Sequence, residues 1–127
     1  MPDGMEPVRV IVVDDAADAR FLIGLVLGDS EGVEVVAEAE GAEAALEALD
    51  SGIQVDVALV DARMPAVDGF EAAAMLLERR PGLPILLCSA IVDDEIRSRA
   101  AAAGIAACLS KDHFEAIPRV VVELARH

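Results

Sequence analysis

Five short apolar runs alternate with five longer, Ala-rich amphipathic ones, and this alternation limits what the chain can become more than any single residue does. The runs Val8 to Val13, Val33 to Ala37, Val55 to Val60, Leu83 to Cys88 and Ile105 to Leu109 are mostly apolar rather than alternating. That is the pattern of parallel strands covered on both faces. Between and after them lie Asp18 to Leu27, Gly41 to Leu49, Asp68 to Arg80, Asp93 to Ala103 and His113 to Arg126, each long enough for a helix. The boundary residues agree. Asp93 and Asp94 stand where an N-cap is wanted, Glu71 follows Asp68 by three positions, Gly104 stops the Ala100 to Ala103 run, and Pro81-Gly82 closes the third helix. Five strand–helix pairs in 127 residues predict an α/β fold, a (βα)5 doubly wound parallel five-stranded sheet with right-handed crossovers. Met1 to Pro7 read as a loose leader, with Met5 an alternative start, ahead of one domain over residues 8–127.

Composition narrows the function. With 55% hydrophobic residues the chain can bury a core despite its charge of -14. That charge repels phosphate backbones and anionic lipid, so direct nucleic-acid or membrane-surface binding is not expected, and metal ions or cationic partners fit better. The longest uncharged stretch, Pro81 to Val92, falls well short of the roughly 20 residues that cross a bilayer. Met1-Pro2-Asp3-Gly4 lacks the basic start of a secretory signal, which predicts a cytoplasmic location. Cys88 and Cys108 make neither a disulfide framework nor a metal knuckle. Strand alternation puts Ser89 and Cys108 on one side of the sheet and Cys88 on the other, so no Cys88–Cys108 bridge is expected.

An open parallel sheet binds ligands at the carboxyl ends of its strands. The first strand ends in Asp14-Asp15, the third in Asp61, the fourth in Ser89-Ala90, and Lys111 lies just past the fifth. Three carboxylates, a hydroxyl and an ammonium therefore converge on one edge. Two carboxylates about 4 Å apart repel by roughly 4 kcal/mol at an effective dielectric near 20, so three need a cation or a raised pKa. Mg²⁺ suits an all-oxygen set and leaves a position for a substrate phosphate. A carboxylate there can attack phosphorus to give an aspartyl phosphate, while Lys111 and Ser89 bind phosphoryl oxygens. Lys111 is the sole lysine beside nine arginines, a compact ammonium in a chain that otherwise supplies its cations as Arg.

In order and at matching spacing, Val10 to Asp15 (VIVVDD), Asp56 to Gly69 (DVALVDARMPAVDG), Ile85 to Ala90 (ILLCSA) and Gly104 to Asp112 (GIAACLSKD) resemble the receiver domain of two-component response regulators. The stretch Val33 to Ala45 looks most like receivers that carry a C-terminal helix-turn-helix of the LuxR/NarL type. The resemblance implies a flavodoxin-like strand order 2-1-3-4-5. It makes Asp61 the phosphoacceptor, charged by the phosphohistidine of a sensor histidine kinase or phosphotransfer protein. It makes Asp15 and Asp61 direct Mg²⁺ ligands, Asp14 a ligand mostly through water, and the backbone carbonyl of Arg63 the remaining protein donor. Ser89 would move to the phosphoryl group; Lys111 would pair with it, or with Asp61 beforehand. Arg63, Ala90 and Ile91 would modulate the acyl phosphate, and output would pass through the fourth helix, fifth strand and fifth helix. A homodimer is compatible, with Ile91, Val92, Ile105 and Val120 to Val122 as candidate face residues if exposed. DNA binding would belong to a helix-turn-helix beyond this domain. One position departs from the family: receivers commonly place Tyr or Phe three residues before the lysine, and here stands Cys108, too small to swing a ring.

Plainer readings exist for each part. Asp14 and Asp15 can be a helix cap and its solvated neighbour, Asp61 an ordinary strand-end acid, and Ser89 a turn residue. Gly69 serves packing geometry. Two rival functions also fit pieces of the pattern. A scaffold with a receiver fold would bind partners without phosphorylation, and Cys108 favours it. An Asp-nucleophile phosphatase would want Asp-x-Asp after the first strand, whereas the pair here is adjacent.

Overall fold

A computed structural model describes residues 6–126; the N-terminal part of the leader, with Met5, and the last residue of the 8–127 domain lie outside the described residues. The elements run β1 (Val8–Val13), α1 (Ala17–Gly28), β2 (Val33–Ala39), α2 (Ala42–Asp50), β3 (Val57–Asp61), α3 (Gly69–Arg79), β4 (Ile85–Ser89), α4 (Asp94–Ala102), β5 (Ala107–Ser110), a 3₁₀ helix (Lys111–Ala116) and α5 (Ile117–Ala125). All strand pairs are parallel, in the order β2-β1-β3-β4-β5. The order reverses between β1 and β3, which is where such a sheet opens a crevice at its carboxyl edge.

Strand alternation divides the core in two. Val10, Val12, Leu59, Leu86 and Cys88 face Ile23 and Leu27 of α1 and Ile117 and Val121 of α5. Ile11, Val13, Val60, Ile85 and Leu87 face Leu49 of α2, Leu76 of α3 and Ala100 of α4. The two cysteines accordingly stand on opposite faces, both free, as the alternation requires.

Helix ends follow local chemistry. The Asp68 side chain accepts the Glu71 N–H at 2.9 Å and that of Asp93 accepts the Ile96 N–H at 2.9 Å, so both are N-caps. Gly104, at φ +82°, turns the chain out of α4 in a conformation that favours glycine. The predicted helix His113 to Arg126 is instead two pieces, with His113 non-helical at φ -109°, ψ 35°. Pro118 is the reason: lacking an N–H, it fits the first turn of α5 but not the interior of a longer helix. Strands β3, β4 and β5 each begin two residues later than predicted; Pro84, without an N–H, immediately precedes β4. Of the candidate face residues, only Ile91 is well exposed; Ile105 and Val121 are buried, and Val92, Val120 and Val122 are half-buried. Ile105 packs inward after the Gly104 turn, and Val121 faces the sheet. Among the described residues no helix is long and apolar enough to cross a membrane.

Candidate functional site

The carboxyl edge carries the side chains that the strand ends predicted. Asp61, the last residue of β3, is 5% exposed, and Asp14, just past β1, is 3% exposed. Asp15, next in the chain, points to solvent. Each of the three offers a carboxylate oxygen within 4.8 Å of the other two. Lys111, on the first residue after β5, places Nζ 2.7 Å from Asp61 Oδ1. The ammonium lies off the line of a hydrogen bond, so this buried oxygen has a charge partner but no aligned donor.

The Asp61 backbone is held from both sides. The N–H of Ala62 donates to the Cys88 carbonyl at 2.8 Å, and Gly69 N–H donates to the Ala62 carbonyl at 3.0 Å. A Cβ on Gly69 would stand 2.3 Å from the Asp61 carbonyl oxygen, so only glycine lets α3 start this close. The spacing from Asp61 to Gly69 thus has a packing cause as well as a chemical one.

Electrostatics at the edge are strained. Burial raises the Asp14 carboxyl above its ordinary 3.8, against the hydrogen bond from Ala16 N–H, and the neighbouring Asp61 charge raises it further. Burial pulls Lys111 down, but its contact with Asp61 and the charges of Asp61 and Asp14 outweigh this and leave it raised. Cys88, beneath the site, is pushed up to about 12 by burial and is no nucleophile at neutral pH. Burial also raises Cys108, partly offset by Arg97.

The donor set fits a hard divalent ion. All its atoms are oxygens, two of the three carboxylates are buried, and Asp61 Oδ1 accepts no aligned hydrogen bond. Ser89 is buried at the end of β4, its Oγ accepting a long 3.4 Å contact from Ile91 N–H, which leaves it free to turn. Ala90 and Ile91 are exposed on the loop that follows, and Arg63 is exposed beyond Asp61. Cys108 is half-buried on the α4 side of β5. Asp14 is not the cap of α1: the N-cap is Ala16, without a side-chain cap, and Asp14 Oδ1 accepts its N–H at 2.9 Å.

Two arginines escaped the sequence reading. Arg20 donates to the Asp14 carbonyl at 2.6 Å while its Nε lies 3.5 Å from Glu38, so it ties β1, α1 and β2 together behind the acids. Arg99 of α4 lies over the Phe70 ring and beside Asp68. Nothing in their spacing announces either contact, because each joins elements that become neighbours only once the strand order is known.

A family model described as the response regulator receiver domain matches residues 10–121. The response regulator GacA of Pseudomonas aeruginosa is 34% identical over 104 residues, 82% of this chain and 48% of that protein. Protein-glutamate methylesterase/protein-glutamine glutaminase 1 of Rhodospirillum rubrum is 34% identical over 107 residues, 83% of this chain and 27% of that protein. The chain thus spans about half or less of the length of these curated relatives. Among solved structures, the signal receiver domain of NarL from Mycobacterium tuberculosis is 37% identical with a TM-score of 0.85, covering 95% of this chain and 98% of that one.

Proposed function

The chain belongs to the response-regulator receiver family, and on that premise we propose that Asp61 accepts a phosphoryl group from a phosphohistidine of a sensor kinase or phosphotransfer protein. The observation that carries this reading is the buried Asp61 carboxylate, 2.7 Å from the only lysine and within 4.8 Å of two further carboxylates. An Asp61 oxygen attacks phosphorus; the P–N bond breaks with its electron pair passing to the imidazole, and an acyl phosphate forms. Mg²⁺ is the cofactor that suits the site: Asp15, Asp61 and the Arg63 carbonyl would hold it, with Asp14 acting through water, and it would offset the charge of carboxylates and phosphoryl oxygens. Lys111 gives up its contact with Asp61 and pairs with the phosphoryl oxygens. Ser89 turns from its weak partner to donate to one of them. Arg63, Ala90 and Ile91, exposed on the loops after Asp61 and Ser89, set how long the acyl phosphate lasts.

The protein in this reading is a phosphoacceptor in a cytoplasmic signalling chain, without turnover on a free substrate beyond slow loss of its own phosphoryl group. Output leaves through α4, β5 and α5, toward a second copy or toward a further segment such as a helix-turn-helix. Incubation with Mg²⁺ and acetyl phosphate, followed by intact mass, tests the reading. The wild type gains one phosphoryl group and Asp61→Asn gains none. A wild type that stays unmodified contradicts it and leaves the scaffold reading, which Cys108 favours.

A further inference from the structure

The family resemblance supplies no part for the contact between α4 and the start of α3, yet this contact bridges the phosphoacceptor and the output face. The α3 side is a fixed frame. Gly69 is pressed on the Asp61 carbonyl, Asp68 caps the helix through Glu71 N–H, and Phe70 is buried. From α4, the Arg99 guanidinium carbon lies 4.0 Å above the Phe70 ring centroid, and its NH2 is 3.5 Å from Asp68 Oδ2. Beyond that contact few side chains hold α4: Ala100 is buried, and Ile96 is half-buried against the core. At its start, α4 hangs from β4 by the loop that follows Ser89, whose hydroxyl has one long contact.

Between this loop and Arg99 lies an open cavity of about 570 Å³, lined among others by Ser89, Ile91, Phe70 and Ile96. The loop therefore has room to shift. When Ser89 turns to a phosphoryl oxygen on Asp61, the loop and the Asp93 cap move with it, and α4 pulls on the contact that ties it to the start of α3. That contact is Arg99 on Phe70 and Asp68.

We propose that Arg99, stacked on Phe70 and paired with Asp68, is the latch that holds α4 in its unphosphorylated position and yields on phosphorylation, taking over the reporting part that a ring at position 108 would otherwise play. This rests on the phosphoacceptor reading of Asp61. Asp68 and Phe70 register the frame to which Asp61 belongs, while Arg99 registers α4, so the latch compares the two directly. The half-buried Cys108 needs no movement of its own.

Hydrogen exchange read by mass over the α4 peptide decides it, on the wild-type chain, Arg99→Ala, Arg99→Lys and the same-helix control Arg97→Ala. An exposed ion pair and an exposed cation–π contact together give about a fivefold change in the latch equilibrium. Unphosphorylated Arg99→Ala should exchange about fivefold faster over α4. Arg99→Lys should fall between it and the wild type, because a lysine keeps the charge but not the flat stack. Arg97→Ala should match the wild type. With Mg²⁺ and acetyl phosphate, the wild type should approach the Arg99→Ala level while Arg99→Ala gains little more. Equal α4 exchange in unphosphorylated wild type and Arg99→Ala overturns the latch. So does a phosphorylation-induced rise of the same size in both. Intact mass on the same samples keeps the two claims apart: an unmodified wild type sinks the phosphoacceptor reading, while the comparison without phosphodonor still decides whether Arg99 holds α4.

Discussion

Asp14 stabilises the fold least in its charged form. Its carboxyl is raised by burial first and by Asp61 next, so the folded state binds its proton more tightly than the unfolded chain does. The native state then holds more protons than the unfolded state between the ordinary 3.8 and the raised value, and stability falls as pH rises through that window. Above that window the penalty is complete, and a bound cation would relieve it. Asp14→Asn should therefore melt roughly 4 °C above the wild type in chelator, the equivalent of about 1 kcal/mol in a chain of this size. It should also lose most of the melting shift that Mg²⁺ gives the wild type; calorimetry with and without Mg²⁺ checks both, and an unchanged Mg²⁺ shift would count against a shared site. Lys111 behaves oppositely. Its raised pKa contributes stability that is complete below its ordinary 10.5 and lost as pH climbs past the raised value, so it adds no pH dependence near neutrality. At this scale the acids, Ser89 and Lys111 were legible because each ends a strand or follows one. Arg20 and Arg99 were not, since their partners Glu38, Asp68 and Phe70 lie on elements distant in sequence.

Helix α1 is apolar on the face it buries and on much of the face it shows. Ile23 and Leu27 enter the core, while Phe21, Leu22 and Leu25 are 65%, 51% and 55% exposed. A helix apolar all round is usually covered. Leu22 also lines a cavity of about 200 Å³ that reaches Asp61 and Lys111, so a protein seated on α1 would meet the phosphoacceptor at the same time. A protein donor, unlike acetyl phosphate, should need this face. Leu25→Glu with Phe21→Ser should slow transfer from a phosphohistidine protein more than tenfold, a loss of about 1.4 kcal/mol of encounter or transition-state binding, and leave the acetyl phosphate rate within twofold. Equal slowing with both donors would argue that α1 shapes the site rather than receives a partner. The helices themselves were readable where a cap or a stop is local, as at Asp68, Asp93 and Gly104. The end of the chain was misread because an apolar period was followed across Pro118, where backbone hydrogen bonding breaks the helix.

Across the whole molecule, the order β2-β1-β3-β4-β5 does the chemistry's positioning: it sets β1 and β3 side by side and so brings Asp14 and Asp15 to Asp61. The alternation of strands and helices implied an open parallel sheet, and an open parallel sheet implied a site at its carboxyl edge. What the alternation could not contain was the distance between groups, because carboxylate separation depends on register and on the close approach that Gly69 permits. The charge of -14 makes the molecule self-repelling, and two of its acids, Asp14 and Asp61, lie buried close together at the carboxyl edge. The most direct measurement treats the protein with acetyl phosphate in Mg²⁺ and in chelator, reduces the acyl phosphate with borohydride, and locates the modified residue by peptide mass. Modification at Asp61, present with Mg²⁺ and lost in chelator, is the predicted result; modification at Asp14, Asp15 or His113, or a yield indifferent to the ion, would contradict the account.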